Sequence, residues 1–116
     1  MNNDSIFTRI MHGEIAGDIV YEDEHCIVLN DLHPQAPVHM LVIPRKPLVS
    51  LAEAERDDVP LLGHLMLIAS KVAKDAGIET GFRLIANNGR AAGQTVFHLH
   101  FHVLGGKQYA EAGLAT

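Results

Sequence analysis

Five short segments of the chain have the alternating or continuous apolar pattern of β-strands. They are DIVYED, HCIVLND, HMLVIPR, GFRLIAN and QTVFHLHFHVL. A polar turn around Asp23 and Glu24 joins the first two segments, and Pro44 lies at the end of the third. Pro34 and Pro37 keep the intervening LHPQAPV segment irregular. The pattern therefore predicts a chain with five strands.

Two further segments have helical spacing. DSIFTRIMHG predicts a short helix that Ser5 or Asp4 caps and Gly13 ends. A longer helix is predicted between a cap at Asp57 and a terminator at Gly77. Its apolar residues have the spacing of one helical face and are Leu62, Leu65, Met66, Ala69, Val72, Ala73 and Ala76. Strands and helices together in one short chain indicate an α+β fold.

Composition limits the classes of function. The chain has 116 residues, of which 47% are hydrophobic, and this suits one domain, residues 1–116, with a single core. A formal net charge of −5 argues against binding a nucleic-acid polymer through its phosphates. Because no long apolar run or export signal is present, we expect no membrane association and a cytoplasmic location. The single cysteine, Cys26, is predicted to be a buried strand residue.

The segment HLHFHVL places three histidines at alternate positions of the fifth predicted strand. Because side chains alternate across a strand, His98, His100 and His102 should share one face while the residues between them enter the core. Such a row could be an ordinary polar face, a metal site, or a group of acid–base and nucleophilic residues. Histidine is scarce in proteins, so three in five positions favour a chemical role.

A metal site fits this row only in part. Residues two apart on a strand are separated by about 6.6 Å, and residues four apart by about 13 Å. Two adjacent histidines could bind one ion, but a third ligand would have to come from His39, Cys26 or another remote residue. No Asp or Glu lies within the histidine strand. We therefore predict no metal site and no cofactor.

Imidazole chemistry is the remaining interpretation. A neutral imidazole can attack phosphorus with one nitrogen when the other donates to a fixed carbonyl, and neighbouring histidines can transfer protons. His100 is the best candidate nucleophile because an imidazole is predicted on either side of it. The upstream segment NNGRAAGQT offers neutral donors for phosphoryl oxygens, namely Asn87, Gln94 and Thr95. The glycines of that segment could equally form an ordinary turn.

Three motifs together resemble the histidine triad family: GQTVFHLHFHVLGG, DLHPQAPVHMLVIPR and DSIFTRI. The HVLGG ending is similar to that of the Hint branch of nucleotide-binding phosphoramidases. The resemblance runs from about Ser5 to Gly106. It implies an α+β fold with two main helices and a five-stranded antiparallel sheet that extends across a homodimer. It also implies hydrolysis of purine nucleoside phosphoramidates, such as adenosine 5′-monophosphoramidate or adenylyl-lysine, through a nucleotidyl-histidine intermediate.

The resemblance also implies roles for individual residues. The catalytic residues that it implies are the nucleophile His100 and, around it, His98, His102 and His39. The positions that contact the phosphate or the leaving group are matched by Asn87, Gln94 and Thr95. Asp31 matches the acidic residue that holds the ribose hydroxyls, a role that suits a group that only accepts hydrogen bonds. The apolar base pocket is matched by residues that could equally belong to the core: Ile6, Phe7, Ile10, Leu29 and Leu32.

The charge near the triad favours one class of substrate. A substrate with several phosphates is normally met by Mg²⁺ or by clustered Lys and Arg, and the sequence near the triad offers only Arg90 and Lys107. The prediction is therefore a metal-independent phosphoramidase that acts on a single phosphoryl group. Three alternatives stay open: a dinucleoside polyphosphate hydrolase of the same superfamily, a nucleotide-binding regulatory module with incidental hydrolysis, and a non-catalytic metal-binding protein. The histidine that protonates the leaving group also stays open.

Overall fold

The computed structural model describes residues 4–114 and contains one sheet of five antiparallel strands with two α-helices. The strands are β1 (Ile19–Glu22), β2 (Cys26–Asn30), β3 (Val38–Pro44), β4 (Phe82–Ile85) and β5 (Phe101–Gly105). The helices are α1 (Ile6–Met11) and α2 (Val59–Asp75). The strands follow the order β1-β2-β3-β5-β4 across the sheet. The α+β fold predicted from the sequence is confirmed.

Successive residues of β2 and β3 enter two separate buried clusters, where the composition had suggested a single core, because side chains alternate across a strand and both faces of the sheet are covered. On one face, Cys26 and Val42 belong to the same buried cluster as Leu65 of α2. On the other face, α1 contributes Phe7 to a second cluster. The sheet residues of that second cluster are Ile27, Leu29, Leu41 and Ile43. The sheet therefore has an α2 face and an α1 face, and Cys26 is a buried strand residue as predicted.

The bounds of α2 differ slightly from the prediction. The helix begins after Asp58, one residue later than the predicted cap Asp57, because a short 3₁₀ turn precedes it. Its buried residues are Leu65, Ile68, Ala69, Val72 and Ala73. Met66 and Ala76, which the spacing placed on the buried face, are exposed. Gly77 follows the helix with a φ of +77°, a conformation that favours glycine at this position. Within residues 4–114 no helix combines the length and the apolar character needed to cross a membrane.

The fifth predicted strand, residues 94–104, is a regular strand only in its second half. Residues 94–100 leave the ladder because other partners hold them. The buried side-chain amide of Gln94 bonds to three backbone groups, and the N–H of Leu99 donates to the carbonyl of Leu48 instead of to a neighbouring strand. The predicted alternation nevertheless persists, because the residues between the histidines enter the α2-face core: Leu99, Phe101 and Val103.

Candidate active site

The central strands β3 and β5 bring His39 and His102 together on the α1 face of the sheet. His102 lies opposite Leu41, which belongs to the α1-face cluster, so the side chain of His102 points to that face. His39 precedes Leu41 by two residues and therefore shares the face. The Nε2 atom of His39 is 2.9 Å from Nδ1 of His102. The strand register thus joins two histidines that are 63 positions apart in the sequence.

Both ring nitrogens of His98 make hydrogen bonds within the protein. Its Nε2–H donates to the carbonyl of Pro44 at 2.7 Å, and its Nδ1 accepts from the hydroxyl of Ser5, also at 2.7 Å. The side chain of Ser5 is also the N-cap of α1, where it accepts from the N–H of Thr8 at 3.1 Å. His98 is only 1% exposed. It is therefore a fixed neutral ring that anchors the segment next to β5.

Within residues 4–114, one ring nitrogen of His100 makes a hydrogen bond and the other does not. Its Nδ1–H donates to the main-chain carbonyl of His98 at 2.7 Å, so in the neutral ring Nε2 carries the lone pair. Among residues 4–114 no group makes a hydrogen bond to that Nε2 atom. The ring of His100 contacts those of Phe7 and His102, with centroids 5.0 and 5.1 Å away. The predicted imidazole on either side of His100 is therefore present on one side only, because the ring of His98 is bound to Pro44 and Ser5.

The tautomers of His39 and His102 follow from their partners. The backbone N–H of Gln35 donates to Nδ1 of His39 at 3.0 Å, so neutral His39 carries its proton on Nε2. That N–H faces Nδ1 of His102 at 2.9 Å and a carboxylate oxygen of Asp31 at 3.4 Å. When it donates to Nδ1 of His102, the proton of neutral His102 is on Nε2. His100 and His102 thus have complementary Nε2 atoms, one with a lone pair and one with a proton.

Burial lowers the pKa of all four histidines below 6.5, the ordinary value. For His102 the pKa falls to about 4, because the proximity of His100 and His39 adds to the effect of burial. The Asp31 carboxylate acts in the opposite direction on His39, His100 and His102 but does not outweigh burial. At neutral pH all four rings are therefore uncharged, which keeps the lone pair of His100 available.

One group of side chains at this site could hold a cation. A carboxylate oxygen of Asp31 and ring nitrogens of His39 and His102 lie within 4.8 Å of one another. The predicted third ligand Cys26 cannot join them, because it belongs to the core on the opposite face of the sheet. Mixed nitrogen and oxygen ligands suit several divalent ions. Hydrogen bonding between His39 and its two neighbours also accounts for this arrangement, so the arrangement does not by itself require a metal.

The three residues predicted to contact phosphate differ in their surroundings. Asn87 lines a cleft together with His39 and His102, and Thr95 is exposed. Gln94 is buried, and its amide accepts from the N–H of Gly89 and donates to two backbone carbonyls. The side chain of Gln94 therefore holds the glycine-rich loop in place through these three hydrogen bonds. Contacts of these residues with a substrate stay a prediction.

The residues predicted for the base pocket also divide into two groups. Phe7 and Leu29 are buried in the α1-face cluster, and Ile10 packs against it. Ile6 and Leu32 are exposed, so they are accessible to a ligand. Asp31, predicted to hold the ribose, is half-buried beside His39 and accepts from the N–H of His33 at 2.8 Å. A carboxylate and accessible apolar side chains are therefore present near the histidines, and their roles in binding stay predictions.

A cleft of about 690 Å³ opens beside His102 and His39, and the sequence did not predict its far wall. Residues 107–114 form that wall, and Arg83 of β4 holds them in place. The guanidinium of Arg83 donates to the carbonyls of Ala110 and Gly113 at 2.7 and 3.2 Å and stacks on Tyr109 at 4.3 Å.

The position of Arg83 depends on strand register. Arg83 lies opposite Leu104, two residues beyond His102 along β5, and this pairing places its side chain on the active-site face. The sequence pattern predicted β4 but carried no signal for its pairing partner.

Ser5 was predicted only as a helix cap, because nothing in the sequence indicates its contact with a histidine 93 positions away.

Comparison with known proteins agrees with the fold and with the histidine cluster. The sequence model of the family described as HIT domain matches residues 12–109. The chain is 54% identical to an uncharacterized HIT-like protein of Synechocystis sp. over 110 residues, which are 95% of this chain and 96% of that protein. A HIT family hydrolase structure from Clostridium thermocellum superposes with a TM-score of 0.92 at 42% identity, over 98% of this chain and 100% of the other. One from Legionella pneumophila gives 0.90 at 37% identity, over 93% and 97%. With a full-length structural match and paired histidines at the centre of its sheet, this chain belongs to the HIT domain family.

Proposed function

We propose that this protein is a metal-independent phosphoramidase that hydrolyses the P–N bond of purine nucleoside 5′-phosphoramidates. The observation that carries the proposal is the hydrogen bond from Nδ1 of His100 to the His98 carbonyl at 2.7 Å. It fixes the tautomer in which Nε2 is the nucleophilic atom, and the low pKa of the buried ring keeps that atom unprotonated. The similar structures named HIT family hydrolases support hydrolysis as the class of reaction.

The proposed reaction has two steps. His102 gives up a proton in the first step and takes one back in the second. The negative phosphoryl group raises the pKa of His102 when it binds beside that ring, so His102 takes up a proton. Nε2 of His100 then attacks phosphorus, the P–N bond breaks, and the amine leaves with the proton of His102. In the second step water attacks phosphorus, gives its proton to His102, and releases the mononucleotide as the bond to His100 breaks. His98 takes no part in proton transfer because both of its nitrogens are engaged.

A dinucleoside polyphosphate hydrolase is the second candidate, and one observation favours it. The cleft beside His102 is lined by two cations, Arg83 and Lys107, whereas the sequence had indicated Arg90 and Lys107 near the triad. Two positive charges could receive a leaving group that carries further phosphates. Against this, Arg83 already donates to two carbonyls of the cleft wall. An amine leaving group needs one proton and no charge neutralisation, which the uncharged histidines can supply.

The test is a hydrolysis panel in the presence of EDTA. Adenylyl and guanylyl phosphoramidates with uncharged amines should be cleaved with higher kcat/KM than dinucleoside polyphosphates, and EDTA should not slow them. Lys107→Gln should leave cleavage of the phosphoramidates unchanged. Faster cleavage of the polyphosphates, with a loss in Lys107→Gln, would establish the second candidate instead. Nucleotide binding without turnover of any member of the panel would identify a regulatory module.

The first testable prediction concerns the nucleophile. His100→Asn should reduce turnover by roughly 10⁴- to 10⁶-fold because the bond-forming nitrogen is lost. Quenched-flow reaction with a phosphoramidate labelled in the nucleotide, followed by peptide mapping, should place the label on His100 of the wild-type protein. The matched control is His12→Asn, which replaces an exposed histidine outside the site. A His100→Asn variant with a tenth of wild-type turnover would remove His100 from this role.

A further inference from the structure

The turn between β1 and β2 and the facing side of α2 hold a second group of metal-ligating side chains. A carboxylate oxygen of Asp23, the sulfur of Cys26 and a ring nitrogen of His64 lie within 4.8 Å of one another. The ring of His25 lies next to that of His64, with their centroids 5.4 Å apart. Cys26 faces the α2-side core, so this group lies on the opposite side of the sheet from His102. The proposed reaction uses none of these residues.

Asp23 is held in a fixed orientation at the centre of the group. One carboxylate oxygen accepts from the backbone N–H groups of His25 and Cys26, each at 2.8 Å. The other faces Nε2 of His64 at 2.7 Å and the hydroxyl of Tyr21 at 2.8 Å. The first oxygen therefore fixes the turn, while the second is directed toward the other donors. An arrangement in which the ligand is already oriented reduces the entropy lost when an ion binds.

We propose that Asp23, Cys26 and His64 bind one zinc ion, or another divalent ion with the same ligand preference. The ring of His25, whose nitrogens lie outside that 4.8 Å group, would turn toward the ion to supply the fourth ligand. A set of one thiolate, imidazole nitrogens and one carboxylate oxygen suits a borderline ion such as Zn²⁺ in tetrahedral geometry. Three of the four donors come from residues 23–26 of one turn, and the fourth comes from the facing helix. The site is structural in type, because four protein donors leave no open position on the ion.

The arrangement of His25 and His64 agrees with a shared ion. Two imidazoles on one tetrahedral zinc, with Zn–N bonds of about 2.0–2.1 Å, have ring centroids roughly 5 Å apart. The observed separation is 5.4 Å, with an angle of 73° between the ring planes. The carboxylate of Glu24 is 3.2 Å from Nε2 of His25, so it can accept that N–H and leave Nδ1 for the metal. A carboxylate that orients a ligating histidine in this way is common around protein-bound zinc.

Binding requires that the ion replace protons. The sulfur of Cys26 is fully buried, so in the absence of an ion it is a protonated thiol. A divalent ion stabilises the thiolate directly, so the S–H proton leaves to solvent as the metal–sulfur bond forms. His64 and Asp23 have side chains that are 33% and 21% exposed, and they provide the route to the buried sulfur. The proton that lies between Nε2 of His64 and Asp23 moves through solvent to Nδ1 of the neutral ring, so that Nε2 and the carboxylate oxygen can each bind the ion.

Cobalt(II) is the appropriate probe because Cys26 is the only cysteine in the chain. Titration of the full chain with Co²⁺ should produce a sulfur-to-cobalt charge-transfer band in the near ultraviolet, and added zinc should abolish it. Cobalt held by Asp31, His39 and His102 would give no such band, because those residues offer only nitrogen and oxygen. The band therefore reports the proposed site alone.

The decisive variant is His64→Ala, with His33→Ala as the matched control. His64→Ala should weaken the cobalt binding reported by the band at least tenfold, whereas His33→Ala, at an exposed position, should retain the band. Circular dichroism would verify that each variant is folded, and zinc should raise the melting temperature of the wild type more than that of His64→Ala. Absence of the band at millimolar cobalt in the folded wild type would overturn the proposal. An undiminished band in folded His64→Ala would also overturn it.

Discussion

The hydroxyl of Ser5 links the start of a helix to the histidine motif, and the hydroxyl of Thr8 lies 3.3 Å from the same ring nitrogen. Its oxygen accepts from the N–H of Thr8 and caps α1, while its proton is donated to Nδ1 of His98. His98 in turn presents the carbonyl that fixes the tautomer of His100. His100, the proposed nucleophile, is thus oriented by a chain of contacts that begins at Ser5. The family pattern predicted the histidines, but this chain of contacts depends on tertiary packing alone.

Ser5→Ala should therefore destabilise the protein and disturb His98 as well. Loss of the cap is expected to cost about 1 kcal/mol. Nδ1 of His98 loses its shorter hydrogen bond and keeps only the hydroxyl of Thr8 at 3.3 Å, which should add roughly 1 kcal/mol. Urea denaturation would measure the change in the free energy of unfolding, and nitrogen NMR of the imidazoles would report the tautomer of His98. Ser70→Ala, at an exposed position of α2, is the matched control. Equal stability of the two variants would contradict this prediction.

The element that departs most from the sequence prediction is the segment before β5. All five strands and both helices were predictable because apolar spacing reflects burial, although Met66 and Ala76 lie outside the buried face of α2 on which the spacing placed them. Residues 94–100 were predicted as strand since they continue the alternation of β5. What the pattern could not indicate is that the amide of Gln94 has backbone partners on two other segments. A buried side-chain amide competes with strand pairing in a way that apolar spacing does not record.

Gln94→Ala should loosen this segment. The substitution leaves the N–H of Gly89 and the carbonyls of Val49 and Val96 without their partner, at a cost of about 1–3 kcal/mol for each group that stays buried. Faster amide hydrogen exchange in residues 89–100 would reveal the local effect. The control is Gln35→Ala, since the exposed Gln35 side chain bonds only to the carbonyl of His33. Unchanged exchange in Gln94→Ala would show that the amide does not hold the loop.

At the scale of the whole molecule, four buried histidines couple stability to pH. The pKa of His39, His98, His100 and His102 is lowered in the folded protein, so the unfolded chain binds more protons below its own value of 6.5. The resulting stability is complete above pH 6.5 and is lost as pH falls toward the folded values, about 4 for His102. The carboxylates of Asp23 and Asp58, whose pKa values are lowered below 3.8, are protonated only at lower pH. The loss of stability between pH 6.5 and 4 can therefore be assigned to the histidines.

The melting temperature should accordingly fall as pH decreases from 6.5 to about 4. His102→Asn should make this decline shallower, because it removes the histidine whose pKa falls to about 4. Calorimetric scans across this pH range, for wild type and variant, measure the two slopes. Parallel curves for the two proteins would mean that His102 does not contribute to the linkage.

We also expect the protein to form a homodimer. Residues at the edge strand β4 and on α2 include large apolar side chains that are exposed: Val59, Met66, Leu67, Leu84 and Ile85. An edge strand with apolar side chains is a surface on which a second copy can extend the sheet. Leu67→Glu should shift sedimentation at micromolar protein from dimer to monomer, because Leu67 is 72% exposed and would become buried.

The control for this prediction is Val20→Glu on β1, the strand at the other edge of the sheet. That variant should sediment like the wild type. A wild-type protein that sediments as a monomer at every concentration tested would contradict the prediction.

The wall that Arg83 holds against the cleft has a consequence for how this protein could change. His39 and His102 lie on the central strands, where a substitution disturbs the core, whereas residues 107–114 receive two hydrogen bonds from the guanidinium of Arg83. The segment that forms the cleft wall can therefore be changed independently of the strands that carry the histidines. Selection, or an engineer, could exchange the segment after Gly106 and reshape the space for the leaving group while the folding of the sheet is preserved. With the proposed phosphoramidase activity, such a chain would be a starting scaffold for directed evolution toward new phosphoryl donors.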